Sequence, residues 1–231
     1  MKIFFISILI SFLSIASASS VIGFVQKVDG NVKVKSEGSL KKSKVKVGFE
    51  IQSGDMITTS KKGSVVLKLV DASVIVLDSS SNIYFKTPSD AEQTEGSVYY
   101  KITSRNAKHA LKIKTPFAII GIKGTTFIIN AKEDASVMLE EGLIGIQSIK
   151  EEFKLYRKGM NEKFNNYQDK QNSGFKDFKD KSKKAAAEIT KEFDLEAGNR
   201  VSFSDNDVNE KSFSSDDTAE FQRFKKMMEI K

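Results

Sequence analysis

The sequence predicts a mainly β protein: a rolled sandwich or short β-solenoid of short strands, with a long amphipathic helix or helical hairpin inserted late and a short C-terminal helix. Three observations predict it. From about Val21 to Ile149, Val, Ile, Leu and Thr run in short blocks separated by Gly, Asn, Asp and Ser. Near Lys150 the apolar spacing changes to steps of three and four. A last amphipathic run follows a polar stretch close to the C-terminus.

The strands come first. In Gln26–Val34, Asp29-Gly30 is a tight-turn pair, because glycine tolerates the positive φ that hairpin turns demand. Val32 and Val34 then share one face, while Lys33 and Lys35 face water. Gly63–Val70 carries apolar residues on both faces, and Val74–Leu77, Ala118–Ile122 and Phe127–Ile129 are nearly all apolar. Such strands are buried on both sides.

The helical expectation rests on Phe153, Tyr156, Met160, Phe164, Tyr167, Phe175, Phe178, Ala185, Ile189 and Phe193. Their spacing predicts one narrow stripe on a helix of roughly 60 Å, at about 1.5 Å per residue. Asn172-Ser173-Gly174 interrupts the pattern, so a helix–turn–helix hairpin is the alternative. The aromatic stripe is unlike a coiled-coil seam and predicts packing on the β domain or on a partner. Leu195–Ser204 reads as a strand again, Asn206–Ser215 as a polar linker, and a short helix starts near Asp216 with Ser215 as N-cap. The expected layout is a signal peptide over 1–18, a β domain over 19–149, the helical segment over 150–193, a return strand over 194–204, and linker plus helix over 205–231.

Met1-Lys2, the apolar run Ile3–Ile15 and Ala16-Ser17-Ala18 predict a cleavable secretory leader. The expected compartment is the periplasm or the outside of the cell, with no transmembrane segment in the mature chain. The chain has no cysteine, which excludes disulfides, thiolate metal sites and a lipidated cysteine. The formal charge of +7 is interspersed with acidic residues and reads as a solvated surface, with no nucleic-acid partner expected.

No catalytic constellation is evident, and no cofactor or metal is expected. His109 is the only histidine. Gly121–Thr126 lacks the order of a phosphate loop and sits between strands, where its amides are spent on sheet bonds. Glu140-Glu141 are adjacent on a strand, so their side chains point to opposite faces and do not flank one bond.

The β region also carries landmarks in a fixed order: Gly54-Asp55-Met56-Ile57-Thr58-Thr59, Asp71-Ala72-Ser73, Glu95-Gly96, Thr115-Pro116-Phe117-Ala118, Gly124-Thr125-Thr126-Phe127 and Glu141-Gly142. The glycines suit turns or bulges, Asp55 and Asp71 suit turn capping, and Pro116 suits a strand start. In order and spacing this series resembles the FecR family over roughly Val21 to Ser148. Ala72 stands where the family usually has glycine, so that turn must differ or bear strain.

The resemblance implies an exported domain that recognises another protein. In the best-known members an anti-sigma segment and one transmembrane helix precede that domain, which receives a signal from an outer-membrane receptor. Here the leader runs almost directly into the β region, so the expectation is a scaffold that does not itself relay a signal across the inner membrane. The expected partner is an envelope protein, docked through Phe153, Tyr156, Phe164, Tyr167, Phe175 and Phe178 or through an exposed strand edge. The alternative is a peptidoglycan- or polysaccharide-binding module using Tyr84, Phe85, Tyr99 and Tyr100 as exposed platforms.

Overall fold

Alternation along the strands divides the side chains into those facing between two layers and those facing out. The computed structural model describes residues 20–103, 110–158 and 187–229. Among these, 19 strands form one hydrogen-bonded sheet. They are β1 (Val21–Asp29), β2 (Val32–Lys35), β3 (Ser43–Lys44), β4 (Glu50–Gln52), β5 (Met56–Thr59), β6 (Ser64–Leu69), β7 (Val74–Leu77), β8 (Asn82–Thr87), β9 (Asp90–Ile102) and β10 (Leu111–Lys114). Then follow β11 (Ile119–Ile122), β12 (Thr125–Ala131), β13 (Ser136–Glu141), β14 (Leu143–Gln147), β15 (Phe153–Tyr156), β16 (Glu188–Thr190), β17 (Glu192–Glu196), β18 (Asn199–Ser204) and β19 (Asp207–Ser212). One helix, α1 (Ser215–Met228), ends the described chain.

The sheet rolls into two layers because β9 belongs to both. Its first half pairs with β8 and, in parallel, with β10; its second half pairs with β7 and β12. The first layer runs β3-β2-β5-β8-β9-β10-β11-β14-β17. The second runs β4-β1-β6-β7-β9-β12-β13-β18-β19-β15-β16. Gly96 sits at the crossing with φ +87°. A Cβ there would stand 2.1 Å from Ser81 Oγ and 2.4 Å from Ser81 Cα, so only glycine lets the two segments cross.

One core fills the space between the layers, with Leu67, Ile75, Tyr100, Phe127 and Val137 from one side and Ile57, Ile83, Ile113, Ile120 and Ile144 from the other. The apolar runs foreseen as buried on both sides have a second covering. Val66, Val76, Tyr99, Ile128 and Met138 point out of the second layer and are covered by Phe221 and Phe224 of α1. Phe224 stacks on Tyr99 with centroids 5.7 Å apart. A capping box between Ser214 and Asp217 starts the helix, so the N-cap is one residue earlier than the expected Ser215.

Three expectations are corrected. The stripe foreseen as a helix or hairpin over 150–193 is not one helical face: Phe153 and Tyr156 lie in β15, Ile189 in β16 and Phe193 in β17. Strand alternation governs these ends, with Phe153 and Leu155 inward and Lys154 outward. Met160, Phe164, Tyr167, Phe175, Phe178 and Ala185 lie outside the described residues. The second correction is that the expected linker contains β19, paired with β18 and β15. Asp205, at φ +53°, turns the chain into that hairpin, and Val208 fills the core. Third, the expected return strand over 194–204 is two strands, β17 in the first layer and β18 in the second.

Candidate protein-recognition site

The sequence landmarks resolve into turn and crossing geometry. Gly54 has φ +90°, and Asp55 is buried with Oδ2 accepting the Gln52 N–H at 2.9 Å. Thr59 Oγ1 accepts the Ser81 N–H at 2.9 Å and donates to the Asp78 carbonyl at 2.6 Å, tying β5 to the turn before β8. Asp71 Oδ1 accepts the Ser73 N–H at 3.0 Å, and Ala72 between them has φ +68°. Buried Ser73 in turn accepts the Thr103 N–H at 3.0 Å. Thr115 Oγ1 accepts from the Ala118 N–H at 3.0 Å, which closes the Pro116 turn. Gly124 and Gly142 have φ +130° and +90°, and a Cβ on Gly142 would lie 2.6 Å from the Gly124 carbonyl and 2.6 Å from Thr125 Cγ2. Phe127 is core, stacked on Tyr100 at 4.8 Å.

These turns leave one end of the roll open. A groove of about 790 Å³ lies there between the layers, bordered by the β10–β11, β12–β13, β14–β15 and β18–β19 connections. Its base is aromatic. Phe117, half-buried, packs on Phe203 with centroids 4.6 Å apart, and Phe153 lies 5.9 Å from Phe203. Ile149, 37 % exposed, borders the opening, with Lys132, Glu133 and Lys150 around it. Asn206 Nδ2 donates to Glu151 Oε2 at 2.6 Å, and the Lys154 N–H to the Asn206 carbonyl at 2.8 Å, so two of the bordering connections are held together. An apolar base with a mixed-charge rim, on loops braced by a sheet, suits one apolar or aromatic side chain of a partner with polar groups around it.

The residues foreseen as docking sites are placed differently. Phe153 and Tyr156 are buried in β15, and Phe153 packs edge-on against Phe193. Burial pushes the Tyr156 hydroxyl above its ordinary pKa, with Asp207 adding to it. Phe164, Tyr167, Phe175 and Phe178 lie outside the described residues. Of the aromatic platform foreseen for a wall polymer, Phe85, Tyr99 and Tyr100 are buried, and only Tyr84 is partly accessible. The groove itself was missed in the sequence: Phe117 was visible inside the Thr-Pro-Phe-Ala landmark, but Phe203 and Phe153 come from segments read as unrelated.

Just after β15, Arg157 gathers the neighbouring strands. Its Nε meets Glu188 Oε2 at 3.3 Å, its Nη1 donates to the Asp194 carbonyl at 3.1 Å, and its guanidinium lies 5.6 Å from the Phe193 ring. Among the described residues, no group of three or more His, Asp or Glu side chains could hold a metal ion, and no helix is long and apolar enough to cross a membrane. Glu140 is held by Lys225 at 2.7 Å and Glu141 accepts from Thr126 Oγ1 at 3.1 Å.

A rolled, mainly β scaffold with a groove at one aromatic end is the class of protein that the described residues define. Residues 55–145 match the family model described as FecR protein, so the likeness read from the landmarks holds over that span. Two crystal structures of a Parabacteroides distasonis protein, assigned provisionally as an anti-sigma factor, are also similar to the chain. At 11% identity they have TM-scores of 0.49 and 0.48 and cover 72% of this chain, which spans 64% and 63% of theirs. No curated protein matches the chain.

Proposed function

We propose that this chain is a non-enzymatic signalling or regulatory protein of the cell envelope that works by binding another protein at the open aromatic end of the roll. The observation that carries the reading is the half-buried Phe117, packed at a tilt on Phe203 inside a groove bordered by four connections of a sheet whose residues 55–145 match the FecR family. A half-exposed aromatic ring on a rigid base loses little entropy on binding and supplies a large apolar area, which is what anchors in recognition sites require. Export rests on the leader-like residues 1–18 and on the family likeness. The wall-polymer reading loses most of its platform, because Phe85, Tyr99 and Tyr100 are buried and only Tyr84 is partly accessible.

The test is to express the tagged full chain in its own host and compare what co-purifies with the wild type and with Phe117→Ser and Ile149→Lys. Both variants should fold, since neither ring nor side chain is fully buried. Loss of one discrete protein partner from both supports the reading. Retention of the same partner by both variants contradicts it.

A further inference from the structure

The outer face of β10, β11, β14 and β17 carries glycines that the chain itself does not need. Gly121 and Gly145 are register partners on neighbouring strands. Neither has a left-handed φ, and a Cβ would meet nothing nearer than the Gly145 carbonyl at 3.9 Å or Asp194 Oδ1 at 3.6 Å. Glycine in a strand sacrifices side-chain packing and conformational entropy, and it often marks a place where another chain comes close. Gly96 and Gly142 have internal reasons to be glycine; these two do not.

Charge is distributed across the same face in an ordered way. One row across the four strands reads Lys112, Gly121, Gly145, Asp194, and the next reads Lys114, Ile119, Gln147, Glu192. Each row is basic at the β10 end and acidic at the β17 end, with a trough of about 510 Å³ between. A two-fold axis parallel to the strands, lying in the face between β11 and β14, superposes this pattern on its own complement. Lys112 and Lys114 then oppose Asp194 and Glu192 of a second copy, and the glycines oppose each other, so the two sheets can approach closely.

We propose that this face is a self-association surface whose occupant is a second copy of the chain, related by that two-fold axis. Charge complementarity selects the copy, because an isologous interface needs a surface complementary to itself. The strength is bounded by size and by local charge. Four strands at about 4.8 Å spacing give a patch roughly 15 Å wide, which is smaller than a standard stable interface. Asp90 and Glu92 of β9 also flank Lys112 and Lys114 within the sheet, and Asp90 lies 3.9 Å from Lys86. Those acidic groups fall outside the four-strand overlap but offset part of the lysine charge. The dimer is therefore weak, concentration-dependent and sensitive to salt.

Sedimentation equilibrium of the full chain at low ionic strength tests this, alongside two charge-reversed proteins, Lys112→Glu/Lys114→Glu and Glu192→Lys/Asp194→Lys. The wild type should shift from monomer toward dimer as concentration rises, and about 0.5 M salt should reverse the shift by screening. Each reversed protein should be monomeric alone, whereas an equimolar mixture should associate, because both sets of opposed charges are then restored. Gly121→Val/Gly145→Val should keep the circular dichroism of the wild type and lose the dimer. A wild type that stays monomeric throughout overturns the proposal. So do reversed proteins that dimerise unchanged, or a mixture that does not associate.

Discussion

The side-chain amide of Gln93 is fully buried between the layers, and its Oε1 accepts the Tyr100 hydroxyl at 2.8 Å. Its Nε2 donates to the carbonyls of Gly96 and Ile129 at 3.1 and 3.2 Å. Residue 93 lies in the half of β9 belonging to one layer, while Tyr100 and Ile129 lie in the other. The polar network therefore satisfies the backbone at the crossing and fixes how the sheet folds over. Gln93→Leu should cost about 2–4 kcal/mol, because it leaves the Tyr100 hydroxyl without its acceptor in an apolar core and removes the amide's bonds to two carbonyls. Tyr100→Phe should cost about 1–2 kcal/mol. Urea denaturation of both variants and of the double variant checks this, and the double should cost less than the two added together.

Gly96→Ala should be among the most damaging single changes. It forces a Cβ into Ser81 and also asks a non-glycine residue to hold φ +87°. A loss of about 3 kcal/mol or more, or failure to accumulate folded protein, is expected. Gly198 serves as the comparison, since it shares a positive φ of +78° but has nothing within 4 Å of an added Cβ. Gly198→Ala should cost only the backbone strain, about 1–2 kcal/mol.

Ala72 runs in the opposite direction. Its φ of +68° puts a Cβ where the left-handed region disfavours one. Ala72→Gly should raise stability by about 0.5–1 kcal/mol, after the flexibility that glycine adds to the unfolded chain is offset. A thermal melt checks the sign.

The pH dependence has an alkaline and an acid limb. Burial pushes the Tyr100 hydroxyl well above its ordinary pKa, and burial with Glu140 and Glu141 does the same for Tyr99. A raised folded pKa means stability is present in full below the unfolded value near 10 and is lost as pH rises beyond it. Asp217 behaves conversely. Burial acts to raise its pKa, but the Ser214 N–H and hydroxyl and the Arg200 guanidinium at 2.9 Å outweigh it and hold the carboxyl below its ordinary value. Its contribution is present above about pH 4 and is lost as pH falls through the lowered value. Asp217→Asn should flatten the acid limb of a stability–pH profile while leaving the alkaline limb in place.

Helix α1 should detach before the sheet unfolds. Its hold on the second layer rests on Phe221 and Phe224 over Tyr99, with Arg200–Asp217, Arg223–Asp78 and Lys225–Glu140 ion pairs at its borders. The partly exposed Arg223–Asp78 and Lys225–Glu140 pairs contribute little beside two buried rings, while the buried Asp217 pairs with Arg200 at the first turn of the helix. Phe221→Ala/Phe224→Ala should open α1 amides to hydrogen exchange while β9 and β12 stay protected, which mass spectrometry resolves.

How far the fold was legible follows from the period of each segment. Alternation in β2 and the apolar runs of β7 and β12 marked strands directly, and the apolar runs were legible as buried on both sides. Phe221 and Phe224 were visible as one side of a short helix, though not as the cover of the second layer. The error at Phe153, Tyr156 and Phe193 has a physical reason. Aromatic residues from two short strands fell at helix-like intervals, and pairing with β19 and β14, distant in sequence, decided their state. Val208 in β19 was hidden because its neighbours are polar and only two of its six residues point inward. The groove was illegible for the same reason: Phe117, Phe153 and Phe203 meet only after the sheet rolls, and no local pattern joins them.

The most direct test of recognition at the open end is site-specific photocrosslinking in intact cells, with a photo-reactive residue at Phe117 and a control at Tyr84 on the outer face of the first layer. The account predicts one discrete protein adduct from position 117 and none of the same mass from position 84. Adducts from position 84 alone, or only crosslinks within the chain from position 117, would contradict it.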